Sequence, residues 1–144
     1  MAFGIVLYDT QRTIVAIDEA AAEAFGQPAA ALRGRCIWDF IPQPDREALV
    51  EAVAEYERTG QASGRYVFEL EDGRRQPFLY SARANDPLPG LYTMLLAPIE
   101  DEVDVTLLAP RHHEGHVYMG AELTLDEREI MGAELRVRQS ERRA

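Results

Sequence analysis

Lysine is absent from this 144-residue chain, so all 15 basic side chains are arginine, set against 25 acids for a net charge of -10. A surface of that sign repels phosphate backbones and argues against direct nucleic-acid binding. Cysteine occurs once, at Cys36. An internal disulfide is therefore impossible, and a reducing, intracellular home is the default expectation. No apolar run approaches the ~18 residues that span a bilayer. The opening "MAFGIVLYDTQRT" lacks a basic start and a small-residue cleavage site, so a cytoplasmic location without a membrane partner is expected. Also missing are a Gly-rich phosphate loop, a His-Glu-x-x-His pair and a Gly-x-Ser-x-Gly elbow. Asp39, Asp45 and Glu47 sit where helices begin, which the helix dipole favours without any catalytic role. The chain is thus expected to be no enzyme. Its lack of lysine and wealth of alanine are a bias of the kind GC-rich bacterial genomes impose.

What is present suffices for one domain with a single core, since 47% of the residues are apolar. "GIVLYD" and "TIVAID" are β-branched runs separated by "TQR", the pattern of a tight hairpin. Asp18 stands at an N-cap position before the helix former "EAAAEAF", which Gly26 stops. "QPAAALRG" reads as a second helical turn, and "CIWDFI" is too short to stand alone as a helix before Pro42 and Pro44 close it. "DREALVEAVAEYERTG" places Ala48, Leu49, Ala52, Val53 and Tyr56 on one helical face and ends at Gly60. Alternation of period two follows, with Tyr66, Phe68 and Leu70 opposite Val67, Glu69 and Glu71. "EDGRR" signals a hairpin turn, and "QPFLYSARA" and "LYTMLLAPI" complete three strands.

Beyond Ile99 the character changes. Residues 100–122 read as an acidic connector with the short apolar runs "VTLLAP" and "HVYMG" around "RHHEGH", and residues 123–144 as an amphipathic helix. Thr124 and Glu127 have capping-box spacing, and arginines gather toward its end. Its apolar residues Ile130, Met131, Leu135 and Val137 need a partner surface, because a lone helix of this length is marginal in water. Either the outer face of its own sheet or the same helix of a second chain would serve.

A strand ending in "AID", then "EAAAEAFG", "LRG", "DFIPQPDREAL" and "EDGRRQPF" in that order resembles the bacterial PAS sensor pattern over residues 1–99. The resemblance implies an α+β fold, a five-stranded antiparallel sheet with helices on one face. It also implies a small-molecule cavity between them. Candidate lining residues are Phe25, Ile37, Trp38, Phe40, Leu49, Val53, Tyr56, Tyr66, Phe68, Tyr80 and Met94; the alternative is that they fill one another's space. Light-oxygen-voltage domains, the flavin-binding PAS relatives, carry a reactive cysteine in Gly-Arg-Asn-Cys-Arg-Phe-Leu-Gln. Here "GRCIWDFI" lacks the Asn and brings the cysteine one position forward, a turn of about 100° on a helix. A flavin adduct is therefore not expected, and Cys36 reads as a small, half-buried apolar residue. Haem is not expected either, because the long helix "PDREALVEAVAEYERTG" has no histidine. His113 and His116, with Glu114, are the only metal candidates, and their spacing matches no closed structural site; a solvated turn is expected there.

"LTLDEREIM" is similar to the opening of a LuxR-type helix-turn-helix, but only 22 residues remain from Leu123, too few for a recognition helix. The resemblance therefore implies a sensor or interaction module, homodimeric through flanking helices and the sheet, that signals to a partner through its C-terminal helix. Two alternatives stay open: a protein that simply holds an apolar or aromatic ligand in the core, and a transcription regulator acting through a partner.

Overall fold

In the computed structural model, which describes residues 2–41, 46–100, 111–113, 116–118 and 123–143, strand β1 (Gly4–Asp9) turns back into β2 (Ile14–Ile17). Asp9 makes that turn, since its carboxylate accepts from the amides of Gln11 at 2.9 Å and Thr13 at 3.0 Å. Arg12 takes a left-handed φ of 69° there. Helix α1 (Glu19–Phe25) begins where Asp18 accepts from the Ala21 amide at 2.9 Å and ends at left-handed Gly26. After the single turn α2 (Ala29–Leu32) comes a 3-10 turn, Ile37–Phe40, of the short length usual for that form. Helix α3 (Arg46–Thr59) follows and stops at Gly60, whose amide donates to the Tyr56 carbonyl at 2.7 Å. Val53 and Tyr56 of its expected apolar face are buried; the side chains of Ala48, Leu49 and Ala52, and residues 42–45, lie outside the described residues.

Strands β3 (Gln61–Glu69), β4 (Arg75–Ala84) and β5 (Leu91–Pro98) complete an antiparallel five-stranded sheet of order β2-β1-β5-β4-β3. Its inner face carries Val6, Tyr8, Phe68, Phe78 and Leu96, onto which α1 sets Phe25. Gly4 lets α1 come this close: a Cβ on it would stand 2.4 Å from the Ala21 nitrogen.

The connector departs from expectation. Residues 111–113 and 116–118 are not part of a merely solvated turn: they form a hairpin, β6 (Arg111–His113) and β7 (His116–Tyr118), with His113 opposite His116. Strand β7 runs parallel to β3, pairing Ala62 with Val117 and Ser63 with Tyr118, and so extends the sheet. The physical reason is the edge of β3, whose backbone groups would otherwise stand unpaired.

Helix α4 (Leu125–Arg143) starts with the expected capping box: the Thr124 amide donates to Glu127 Oε1 at 2.8 Å and the Glu127 amide to Thr124 Oγ1 at 3.2 Å. Of the two surfaces open to it, the helix takes the outer face of its own sheet. Leu123 and Met131 are buried there with Leu79 of β4 and Leu95 of β5, flanked by Phe3, Ile5, Ile99 and Leu135. Ile130 and Val137 point away and remain exposed. No described helix is long and apolar enough to cross a membrane.

Candidate functional site

Between the sheet and its covering helices lies a cavity of about 70 Å³. Alternate residues of the strands make its floor, with Tyr8 from β1, Tyr66 and Phe68 from β3, Tyr80 and Ala82 from β4 and Met94 from β5. Its roof is Ile37 and Trp38 of the 3-10 turn, Ile41, and Val53 and Tyr56 of α3. A single 3-10 turn is too small to cover the sheet between α1 and α3, and the space beneath it stays open.

Eight of the eleven candidate residues therefore meet around one space: Ile37, Trp38, Val53, Tyr56, Tyr66, Phe68, Tyr80 and Met94. Phe25 and Phe40 do not line it. They pack on each other with centroids 5.0 Å apart, and Phe25 also meets Phe78 at 5.6 Å and Phe68 at 5.8 Å. This aromatic cluster is close-packed and bounds the cavity only through Phe68. The side chain of Leu49 lies outside the described residues. Tyr8, Arg12, Ile41 and Ala82 are lining residues that pattern reading missed. The period-two alternation of β1 points Tyr8 inward with Val6, and that signal could have found it. A charged Arg12 carries no such signal.

Among the described residues Arg12 is the one charged residue that lines the cavity. Its guanidinium donates to Glu57 Oε1 of α3 at 2.9 Å and to the Thr10 carbonyl at 2.7 Å. It lies 5.4 Å from the Trp38 ring centre and 5.9 Å from that of Tyr92. The arginine thus ties the β1–β2 turn to α3 across the cavity. On the other side of the 3-10 turn, Arg35 pairs with Glu71 and with Asp39 at 3.6 Å, and its guanidinium sits 5.1 Å over Phe40. Glu71, which also accepts from Gln27, is held below the usual carboxylate range chiefly by that Arg35 hydrogen bond.

Two buried hydroxyls face this apolar space. Burial pushes Tyr8 up to about 12, and burial likewise drives Tyr56 well above the ordinary phenol range. Both stay protonated at any physiological pH. Tyr8 and Tyr56 face each other closely enough that a hydrogen bond between their hydroxyls acts on the ionisation of both.

Cys36 is half-buried, sits just ahead of the 3-10 turn and pairs its backbone with Thr13. It is not a lining residue. At about 70 Å³ the cavity is far below the ~300–1,000 Å³ that cofactor-sized ligands occupy. His113 and His116 are described only as paired backbone in the β6–β7 hairpin.

Helix α4 reaches this architecture from behind. Arg65 Nε of β3 stands 3.4 Å from Glu127 Oε2 near the helix start. Toward its far end Arg138, held by Glu134 at 2.9 Å, reaches Asp18 at 3.6 Å and donates to the Phe3 carbonyl at 3.3 Å. Asp18 is the same carboxylate that caps α1.

A family model described as the PAS fold matches residues 1–102. Among solved structures the chain is similar to a PAS domain from Colwellia psychrerythraea, with a TM-score of 0.61 and 16% identity, covering 69% of this chain and 87% of that one. A PAS domain of a LuxR-family transcriptional regulator from Burkholderia thailandensis, in complex with ethanol, superposes with a TM-score of 0.57 and 20% identity over 69% and 90% of the two chains. The PAS domain of an HTR-like protein from Haloarcula marismortui gives a TM-score of 0.57 at 17% identity over 67% and 81%. At these identities the likeness is one of fold. No curated protein matches the sequence.

Proposed function

The chain belongs to the PAS family, and from that premise we propose that it is a non-enzymatic sensor module of bacterial signal transduction. In this reading a small molecule enters the core cavity, and the change in occupancy passes through α4 to a signalling partner. The observation that carries it is the contact of Arg138 with Asp18. That carboxylate caps α1, and α1 delivers Phe25 to the cluster whose Phe68 is a cavity wall. A ligand that displaces Phe68 disturbs Phe25, the seat of α1 and the anchor of α4. By linkage, a ligand that loosens α4 must bind more tightly when α4 is loose, by the same factor. Ethanol, held by the Burkholderia relative, is of the size that a cavity of about 70 Å³ admits, which supports a ligand of a few heavy atoms.

The outward face of α4 supports a homodimer as the signalling unit. Ile130 and Val137 are exposed, seven residues apart and so on one stripe. The first turn carries Asp126 and Glu127, while Arg136 follows in the second half of the helix. Antiparallel pairing of two such helices across a two-fold axis sets each acidic end against the other's basic half.

Hydrogen exchange of the full-length protein, purified under native conditions and again after exhaustive dialysis, tests the transmission. Mass spectrometry of the same samples reads the bound molecule and the number of chains. Faster exchange in α4 in one of the two states is expected; identical α4 exchange with and without a demonstrated ligand refutes transmission through this helix. For the dimer, replacing Ile130 and Val137 together by Glu should weaken association at least about tenfold in sedimentation equilibrium. A wild type that stays monomeric refutes that part.

A further inference from the structure

Among the described residues, the polar groups that reach the core cavity are already engaged. Arg12 donates to Glu57 Oε1 at 2.9 Å and to the Thr10 carbonyl at 2.7 Å. The hydroxyls of Tyr8 and Tyr56 face each other, and the hydrogen bond between them acts on the ionisation of both. Tyr66 and Tyr80 each have a partner as well. The wall between these groups is made by apolar side chains such as Ile37, Ile41, Val53 and Met94.

Water gains little in such a space. A volume of about 70 Å³ has room for it, but a buried water needs about two to four polar partners, and engaged groups supply them only by giving up the bonds they have. Apolar cavities stay dry and take apolar guests. Charge excludes ions, because an anion would have to displace Glu57 from Arg12 and a cation would lie against a wall that cannot solvate it. Size excludes an aromatic ring, since about 70 Å³ is roughly half the ~150 Å³ void that admits benzene.

We propose that the cavity selects a nonpolar molecule of a few heavy atoms, a light alkane or alkene, over its hydroxylated isostere. The inference rests on the sensor reading, because it names the ligand class of that same cavity. Propane and ethanol share a shape and differ by a methyl in place of a hydroxyl. Ethanol must give up its hydrogen bonds to water and meets groups that already have bonds of their own, whereas propane gives up none. Ethanol is thus matched to the cavity in size and mismatched in chemistry. An apolar pocket rejects a hydroxylated isostere by up to about a hundredfold.

Each probe is titrated into the full-length wild type, with binding read from methyl and aromatic chemical shifts and located by nuclear Overhauser contacts. The expected result is that propane binds at least about tenfold more tightly than ethanol, with contacts to the Met94 methyl and the Tyr80 ring. Ala82→Leu, which sets a larger apolar side chain on the cavity floor, should weaken propane binding by a similar factor. If ethanol binds as tightly as propane or more tightly, the ligand class is refuted while the cavity remains a ligand site. Propane contacts only elsewhere, or undiminished binding to a folded Ala82→Leu, overturn the assignment to this cavity. Should that variant not fold, the Overhauser contacts in the wild type decide the location alone. If neither probe binds the wild type, the cavity is no small-molecule site, and the sensor reading falls with the inference.

Discussion

Truncating Met131 to Ala separates the hold of the sheet on α4 from the stability of the sheet itself. Met131 is 2% exposed and is the central α4 side chain of the outer cluster, touching the layer of Leu79, Leu95 and Leu123. Met-to-Ala changes in a core cost about 2–5 kcal/mol. Here the contact is a single helix on one sheet face, with Leu135 only half-buried beside it, so the site can relax and the low end applies, about 2 kcal/mol. The ion pairs of Arg138 and Arg65 add little, being partly exposed. If α4 opens as a unit while the PAS core stays folded, exchange of its amides should accelerate about 30-fold in Met131→Ala, with β4 and β5 unchanged. Hydrogen exchange with peptide resolution reads both at once. Equal loss of protection in α4 and in β4–β5 would show that the helix is an inseparable part of the core, and unchanged α4 protection would show that Met131 does not hold it.

Gly4→Ala forces a Cβ against the Ala21 backbone and should cost about 3 kcal/mol, lowering Tm by about 10 °C; an unchanged Tm means that α1 does not approach β1 so closely. Asp18→Asn keeps a capping oxygen for the Ala21 amide and loses only the contact with Arg138. Its stability should fall by less than about 0.5 kcal/mol, whereas Asp18→Ala should lose about 1 kcal/mol more; equal losses in urea titrations would deny the cap. Burial holds the Tyr8 hydroxyl at about 12, so the folded state keeps a proton that the unfolded chain releases near pH 10. That contribution is whole below pH 10 and declines by about 3 kcal/mol toward pH 12, a slope that Tyr8→Phe should reduce in urea midpoints measured across this window.

The sequence by itself determined what short-range physics controls. β-branched runs marked β1 and β2, period-two alternation marked β3, and the "EDGRR" turn with the apolar runs after it marked β4 and β5; Asp18 and Gly26 bounded α1, and the Thr124–Glu127 capping box formed as its spacing required, because each depends on residues within a few positions. Most of the candidate site was legible for the same reason: Tyr66 and Phe68, or Val53 and Tyr56, share one face by strand or helix periodicity. Only the tertiary structure decided which inward residues meet a void. Phe25 and Phe40 carry the same apolar signal as Trp38, yet they close on each other, and Phe25 on Phe78 and Phe68, while Trp38 lines the cavity. Arg12 enters the site because a left-handed turn aims it at Glu57, a residue 45 positions away, and charge alone gave no hint of it. The β6–β7 hairpin forms because β3 has an unpaired edge, and α4 takes the outer sheet face because Leu79 and Leu95 lie bare beneath it. Both partners exist only once the sheet is assembled, and pairing across such distances leaves no local trace in the chain.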